Sequence, residues 1–197
     1  MNNSLGMAAI YVVQTLGGLY VLVALLRFLL QTARADFYNP ISQFVVRATQ
    51  PLLAPLRRVI PGFGGLDLAS LVLTLLVQML VLAIIFLLAI GSLPNILQLL
   101  VWSMVAVVAL LTKVFFFALI ISVILSWVAP GSRNPAALLV HQLCEPLLTP
   151  IRRILPNLGG LDLSPIFGFI ALRLVDMLVV AELAKATGMP PGLTLAL

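Results

Sequence analysis

Four long apolar segments dominate the sequence and limit what it can fold into. They cover residues 8–30, 68–90, 96–129 and 166–183. A helix needs about 20 mostly apolar residues to cross the hydrocarbon core of a bilayer, at roughly 1.5 Å of rise per residue. The sequence therefore predicts an all-α integral membrane protein.

The composition supports this class and excludes several others. Of the 197 residues 62% are hydrophobic and only 9% are charged, whereas soluble domains are roughly half apolar and a quarter charged. The net charge of +5 comes from basic residues that are too few and too scattered for a nucleic-acid groove. Anionic lipid headgroups are the expected counterpart instead. Cys144 is the single cysteine, which excludes an internal disulfide and a metal site built on two thiolates of one chain.

The sequence repeats itself at a constant offset, because Pro146 follows Pro51 by 95 residues and every other matched pair has the same spacing. A gapless repeat with so many matches indicates tandem duplication. We therefore predict two units, residues 1–92 and 93–197, each with a span, an amphipathic loop and a span. The first loop carries Asn39, Pro40, Pro51, Pro55, Arg57, Arg58, Pro61, Gly64, Gly65 and Asp67, and the second carries Asn134, Pro135, Pro146, Pro150, Arg152, Arg153, Pro156, Gly159, Gly160 and Asp162.

The third apolar segment leaves the number of spans open. Residues 96–129 exceed one crossing and include Lys113, which is compatible with one long tilted helix, a span preceded by an interfacial piece, or two short helices. Alignment of the two copies places the leading span of the second near residues 103–127, which predicts four spans. Residues 8–30 are predicted to be a retained span and not a cleaved signal peptide, because the apolar run is too long for one and carries Arg27. A five-span alternative would put the two loops on opposite sides.

The distribution of arginine predicts the orientation. The connector at residues 91–95 and both ends of the chain outside the spans hold no Lys or Arg apart from Lys185. With four spans, the positive-inside rule places both loops in the cytoplasm and both termini in the periplasm of a bacterial inner membrane. The loop arginines are Arg34, Arg47, Arg57 and Arg58 in the first copy and Arg133, Arg152 and Arg153 in the second.

Each loop opens with a helix start signal, because an Asn at the N-cap precedes a Pro at the first helical position. Apolar residues then recur at helical spacing, which predicts a short amphipathic helix of roughly 10 residues lying at the membrane interface. The apolar positions are Ile41, Phe44, Val45 and Ala48 in the first copy and Ala136, Leu139, Val140 and Leu143 in the second.

Prolines and glycines follow this helix in each loop. Pro51, Pro55 and Pro61 are predicted to break the surface layer into short pieces, since each removes a backbone donor. The Gly64-Gly65 pair permits a turn with positive φ. Asp67 then lies near the start of the next span, where a carboxylate caps free N–H groups.

The basic residues of this surface layer are candidates for binding anionic lipid or a partner protein. The residues concerned are Arg47, Arg57, Arg58, Arg152 and Arg153. The alternative is that they only determine topology, because basic residues flank most cytoplasmic membrane edges.

Three charged residues fall within the apolar segments: Lys113, Arg173 and Asp176. Arg173 and Asp176 are three residues apart on one helix and can neutralise each other, yet an ionisable residue in a span is also a functional candidate. The alternative function is therefore a small channel or solute transporter. The charged pair aligns with Gln78 and Val81 and is not duplicated, which weakens that alternative.

No constellation of catalytic residues is predicted, and neither a cofactor nor a metal. His141 and Cys144 lie three residues apart in the second loop. No oriented third group accompanies them, so the spacing does not indicate a nucleophile or a haem ligand.

The repeated pattern Pro-Leu-Leu-x-Pro-x-Arg-Arg-x-x-Pro-x-x-Gly-Gly-Leu-Asp-Leu, at residues 51–68 and 146–163, resembles that of the YggT family of small bacterial and plastid membrane proteins. The resemblance covers nearly the whole chain. It implies no enzymatic activity, and it implies roles in osmotic stress tolerance, cell division or nucleoid distribution, or cytochrome assembly in plastids. We therefore expect a non-enzymatic membrane scaffold or assembly factor with lipid and an unidentified membrane-protein partner, a homo-oligomer being left open.

Overall fold

The computed structural model describes residues 3–63, 65–129, 131–132, 134–155 and 162–190. Within these ranges the fold is all-α, with one isolated bridge between Phe63 and Leu66. Gly64, Arg133, Pro156, Gly159 and Gly160, which the sequence analysis singles out, lie outside the described residues. The elements are α1 (Asn3–Thr32), α2 (Pro40–Val59), α3 (Leu68–Ile90), α4 (Ile96–Val128), α5 (Pro135–Ile154), α6 (Ser164–Val175), a π-turn (Asp176–Val180) and α7 (Ala181–Ala186).

Three of the described helices, α1, α3 and α4, are long and apolar enough to cross a membrane. The third apolar segment forms one helix of 33 residues, roughly 50 Å long, which decides between the three alternatives. The fourth apolar segment is helical from Ser164 to Ala186, but the π-turn divides it into pieces of 12, 5 and 6 residues. The fourth span remains a prediction from the sequence.

The two copies pack in the same way. In the first, α1 lies against α3 and α2 contacts both; in the second, α4 lies against α6 and α5 contacts both. The copies meet where α4 contacts α3 and α1, and where α2 contacts α5. At the second of these contacts the Asn39 Nδ2 group donates to the Pro135 carbonyl oxygen over 2.7 Å. The two surface helices α2 and α5 therefore lie at the same end of the bundle.

Apolar clusters hold the bundle at both ends. Far from the surface helices, Phe86 of α3 stacks on Trp102 of α4 with ring centroids 5.4 Å apart, and the indole N–H of Trp102 donates to the Thr187 carbonyl over 3.1 Å. Nearer the surface helices, Leu25 of α1 and Leu119 of α4 are fully buried in one cluster between the copies. Both copies thus contribute to a shared core.

Four prolines lie inside the surface helices. The prediction that Pro51 and Pro55 break this layer into short pieces is therefore wrong. Helix α2 continues through Pro51 and Pro55, and α5 continues through Pro146 and Pro150, giving 20 residues each. In each helix the two prolines are four residues apart and share an exposed face. The opposite face packs on the bundle, with Leu53 fully buried, and such packing supplies most helix stability in proteins. Pro61 follows the end of α2, which stops at Val59.

The packed face of each surface helix differs from its predicted apolar set. In α2 the buried residues are Ser42, Val45, Thr49 and Leu53, and in α5 they are Ala137, Leu139, Leu143, Cys144 and Leu148. Ile41 and Phe44 are exposed, Phe44 by 62%. Phe44 points away from the bundle, whereas Ile41 borders a groove formed with α1, α4 and α5. Packing is decided by the neighbouring helices and not by hydrophobicity alone.

Candidate functional site

An ion pair ties the first surface helix to the start of the following helix. Arg57 at the end of α2 pairs with Asp67 just before α3, and the Asp67 side chain is only 5% exposed. The Asp67 Oδ1 atom also accepts the Ser70 backbone N–H over 3.4 Å, capping α3. The Arg57 Nη2 group donates to Gln31 Oε1 of α1 over 3.3 Å. One guanidinium therefore connects all three helices of the first copy.

The second copy repeats this ion pair in a more exposed form. Arg152 Nε donates to Asp162 Oδ2 over 3.0 Å, and its Nη1 donates to Glu145 Oε1 over 2.8 Å. The Asp162 Oδ1 atom accepts the Ser164 backbone N–H over 2.9 Å. The side chain of Asp162 is 46% exposed. The geometry is shared, but water screens the second pair more strongly.

Hydrogen bonding lowers the pKa of both carboxyls around Arg152. The pKa of Glu145 is lowered chiefly by its hydrogen bond from Arg152. Burial alone would raise the pKa of Asp162, but hydrogen bonds from Ser164 and Arg152 lower it overall. The same contacts raise the pKa of Arg152. All three groups therefore stay charged at neutral pH.

The structure divides the five predicted basic residues into two groups. All five are exposed, but Arg57 and Arg152 pair with aspartates ten residues further along the chain, whereas Arg47, Arg58 and Arg153 form no ion pair with the described residues. Consecutive residues on a helix point in different directions, so one arginine of each pair reaches the aspartate and its neighbour does not. Neither ion pair was predicted from the sequence. The spacing of ten between Arg and Asp in both copies was the available signal.

Asn39 and Asn134 begin the two surface helices and have different surroundings. The Asn39 Oδ1 atom accepts the Ile41 N–H, and Asn134 Oδ1 accepts the Ala136 N–H, each over 2.9 Å. Asn39 is buried against the second copy through its bond to Pro135, while Asn134 is exposed. Further along the first loop, Gly65 has a φ of 85°, a conformation that favours glycine.

Lys113, Arg173 and Asp176, the three charged residues of the apolar segments, come together in the second copy. Arg173 Nη1 bonds Asp176 Oδ2 over 2.9 Å, and these two residues line a cavity of about 320 Å³ together with Lys113. The Arg173 side chain is 69% exposed, so the pair lies on the rim and not in the bundle interior. The π-turn begins at Asp176, and such turns occur frequently at functional sites.

In the first copy, the positions equivalent to this cavity are tightly packed. The 95-residue offset places Gly17 opposite Thr112, Gly18 opposite Lys113 and Val81 opposite Asp176. A Cβ on Gly17 would lie 2.5 Å from Val81 Cγ2. At equivalent positions, the first copy thus has a close contact between helices and the second copy has a charged cavity.

His141 and Cys144 do not form a joint site. Burial raises the pKa of the Cys144 thiol to about 11, with a smaller contribution from Glu145, so the reactive thiolate is absent at neutral pH. His141 is exposed, and its Nδ1 atom lies 3.3 Å from Ser122 Oγ. Among the described residues, no group of three His, Cys, Asp or Glu side chains could hold a metal ion.

Three bilayer-length apolar helices, with one surface helix in each of two equivalent halves, define a duplicated all-α membrane protein. The sequence model of the CCB3/YggT family matches residues 6–90 and again residues 101–183. The chain belongs to this family, which confirms the resemblance inferred from the repeated loop motif.

Relatives from several bacteria match over almost the entire chain. The chain is 66% identical over 194 residues to the uncharacterized protein PA0392 of Pseudomonas aeruginosa, covering 98% of each. It is 41% identical over 191 residues to the uncharacterized protein YggT of Escherichia coli K12, covering 95% of this chain and 97% of the relative. A match to YlmG homolog protein 2, chloroplastic, of Arabidopsis thaliana has 37% identity over 76 residues, covering 36% of this chain and 29% of the relative. No solved structure matches the chain.

Proposed function

We propose that this protein is a non-enzymatic inner-membrane scaffold, or an assembly and stress-tolerance factor, that docks anionic lipid and a membrane-protein partner through a basic surface layer. The observation that carries the proposal is the contact between α2 and α5 at one end of the bundle, with exposed arginines at equivalent positions. Arg58 and Arg153 are the docking residues, assisted by Arg47. Arg57 and Arg152 hold the layer in place through their aspartates.

In this proposal the chain crosses the membrane four times. The helical stretch from α6 through the π-turn to α7 is roughly 34 Å long and is the fourth crossing. The basic layer then lies in the cytoplasm and both termini in the periplasm, as the positive-inside rule requires. The exposed side chains of Ile41 and Phe44 enter the headgroup region. Each nearby arginine attracts anionic lipid by about 1 kcal/mol.

The topology is tested by thiol labelling at two equivalent exposed positions, Val59 and Ile154, whose exposed fractions are 80% and 84%. In a Cys144→Ala background, Val59→Cys and Ile154→Cys are expected to resist an impermeant thiol reagent in intact cells. Both are expected to react once the inner membrane is permeabilised. Leu93→Cys, in the connector between α3 and α4, is the control expected to react from outside. Labelling of only one of the two loop positions in intact cells would contradict the four-span arrangement.

The docking role is tested by removing the exposed charges alone. The double variant Arg58→Gln/Arg153→Gln is expected to insert and fold normally, because neither side chain takes part in the ion pairs described above. Crosslinking in native membranes should then recover the partner at about a tenth of the wild-type level or less, since two interfacial charges are lost. Arg173→Gln is the matched control that removes one charge elsewhere. Undiminished capture by the double variant would refute the role of the basic layer.

The cavity lined by Lys113, Arg173 and Asp176 favours a second candidate function, a small channel or solute transporter. Protein reconstituted into vesicles would then carry ions or osmolytes down an imposed gradient. The flux is expected to disappear in Asp176→Asn, which leaves Arg173 without its partner carboxylate. Absence of flux from the wild-type protein under ionic and osmotic gradients would eliminate this candidate.

A further inference from the structure

A polar cavity lies at the C-terminal end of α1, apart from the residues assigned to docking. Its volume is about 370 Å³, and its polar lining consists of Arg27, Gln31, Arg34 and Ser42. Among the described residues, no acidic side chain lines this cavity. Two arginines facing one cavity without a carboxylate in its wall make it a site for an anion.

Two polar atoms in the cavity wall are buried without a hydrogen-bond partner. They are Arg27 Nε and Ser42 Oγ, and neither finds an acceptor or donor among the described residues. Ser42 is only 4% exposed. Buried polar groups are nearly always paired, and an exception requires an explanation. A ligand bearing oxygen acceptors would accept from both groups at once.

The first turn of α2 adds a further attraction for negative charge. Ser42 is the third residue of this 20-residue helix, after Pro40 and Ile41. Pro40 has no N–H and Asn39 accepts the Ile41 N–H, but the N-terminal end of the helix still carries a partial positive charge, which suits a phosphate. Arg34 stands beside it with a φ of 51°, a left-handed conformation that is uncommon for arginine.

The charges nearby do not cancel those of the cavity. Asp67 is close enough to act on Arg27, but Arg57 is close as well and opposes it. Asp67 is already paired with Arg57. The charges of Arg27 and Arg34 therefore remain available to a ligand with one or two negative charges.

The duplication shows that the common fold does not need these polar groups. In the second copy the positions of Arg27, Arg34 and Ser42 are occupied by an uncharged serine and two alanines. The four equivalents of the polar lining are Ser122, Ser126, Ala129 and Ala137. The second copy nevertheless packs its surface helix in the same way. The cavity around Ser122 and Ser126 in the second copy contains both Arg152 and Asp162, so a pair of arginines without a carboxylate is a feature of the first copy.

An apolar groove adjoins the polar cavity and shares two lining residues with it, Leu30 and Val45. The groove has a volume of about 530 Å³ and lies among α1, α2, α4 and α5, with leucines from both copies in its wall and Lys113 as its one charged residue among those described. An anion beside a membrane-depth apolar groove matches a phospholipid, whose headgroup and acyl chain need those two environments.

We propose that the cavity of Arg27, Gln31, Arg34 and Ser42 binds a phosphate group, and that the adjoining groove makes an anionic phospholipid its source. The headgroup phosphate accepts hydrogen bonds from Arg27 Nε and Ser42 Oγ, and Arg34 closes the site from the loop. One acyl chain lies in the groove between the copies. The site is independent of the docking role of Arg58 and Arg153, and it holds whether or not that role does.

The test measures ligand-induced thermal stabilisation of the full-length protein in a neutral detergent. The probes are phosphatidylglycerol, phosphatidylcholine and inorganic phosphate. Phosphatidylglycerol is expected to raise the Tm of the wild-type protein in a saturable way, as a ligand of the folded state does, and phosphatidylcholine to do so more weakly. A Tm increase with inorganic phosphate and none with lipid would keep the phosphate site and assign it a soluble ligand. No saturable increase with any probe would overturn the proposal.

Variants locate the binding at this cavity. Arg34→Asn removes one charge and keeps a residue that tolerates positive φ, so it is expected to fold and to weaken phosphatidylglycerol binding about fivefold. Arg27→Gln is expected to weaken it further. Ser122→Ala, at the equivalent of Arg27 in the second copy, is the control and should bind as the wild type does. Equal affinity in Arg34→Asn, Arg27→Gln and the wild type would overturn the assignment.

Discussion

Asp67→Ala is expected to destabilise the protein much more than Asp162→Ala, although the two aspartates hold equivalent positions. The first replacement removes the cap of α3 and the partner of Arg57 from a buried site. It also leaves Arg57 near Arg27 with no carboxylate between them. Loss of a cap costs about 1 kcal/mol, and loss of one partner from a largely buried pair costs about 2 kcal/mol after allowance for the partial exposure of Arg57.

The same change in the second copy removes a screened interaction. Asp162 and Arg152 are both more than 40% exposed, and Arg152 keeps Glu145 as a second partner. We expect Asp162→Ala to cost about 1 kcal/mol or less. Thermal unfolding in detergent, followed by the fluorescence of Trp102 and Trp127, measures both changes. Asp67→Asn separates the two contributions, because it keeps an oxygen acceptor for the cap and loses the charge. Similar losses in the two alanine variants would show that burial of the first pair contributes nothing.

Gly17→Ala is expected to lower the free energy of unfolding by about 1–3 kcal/mol, the usual cost of overfilling a packed contact. The added methyl group would lie 2.5 Å from Val81 Cγ2 and 3.2 Å from Val81 Cγ1. Valine is stiff at χ1, so its side chain cannot rotate away freely. The helices α1 and α3 must separate instead. Gly17→Leu should prevent their packing altogether and leave the protein prone to aggregation on extraction from the membrane.

Two controls distinguish a steric effect from a general intolerance of alanine. A Cβ added at Gly6 would meet no neighbouring atom of the described residues within 4 Å, so Gly6→Ala is expected to be neutral or slightly stabilising, since alanine favours helices. The double variant Gly17→Ala/Val81→Ala should recover much of the lost stability. A failure of the second change to compensate would show that the α1–α3 contact does not depend on this pair.

The same two positions also explain how the copies have come to differ in chemistry. In the first copy Gly17 and Val81 allow α1 and α3 to approach closely. In the second, their equivalents Thr112 and Asp176 line a cavity that also includes Lys113. A charged side chain would not fit beside the close contact at Gly17. The charged residues are therefore found only in the copy that has the cavity. The shared fold therefore supports two different sites at one depth.

Short-range features of this protein were determined by the sequence alone. The duplication, the membrane class and the family follow from composition and spacing, which are properties of the chain itself. The caps at Asn39 and Asn134 join groups two residues apart, and the pair Arg173–Asp176 joins groups three apart on one helix. Contacts over such distances depend on local backbone geometry, which residue order specifies.

Only the tertiary structure decided the features that depend on contacts between helices. Whether Pro51 and Pro55 interrupt α2 depends on the packing of Leu53 on the opposite face, which no local rule describes. The partner of Arg57 and the cavity that joins Arg27 to Ser42 require the loop to fold back on α1. The energy of a buried charge or an unpaired hydroxyl is set by everything that surrounds it. That environment exists only once helices distant in the sequence have packed together.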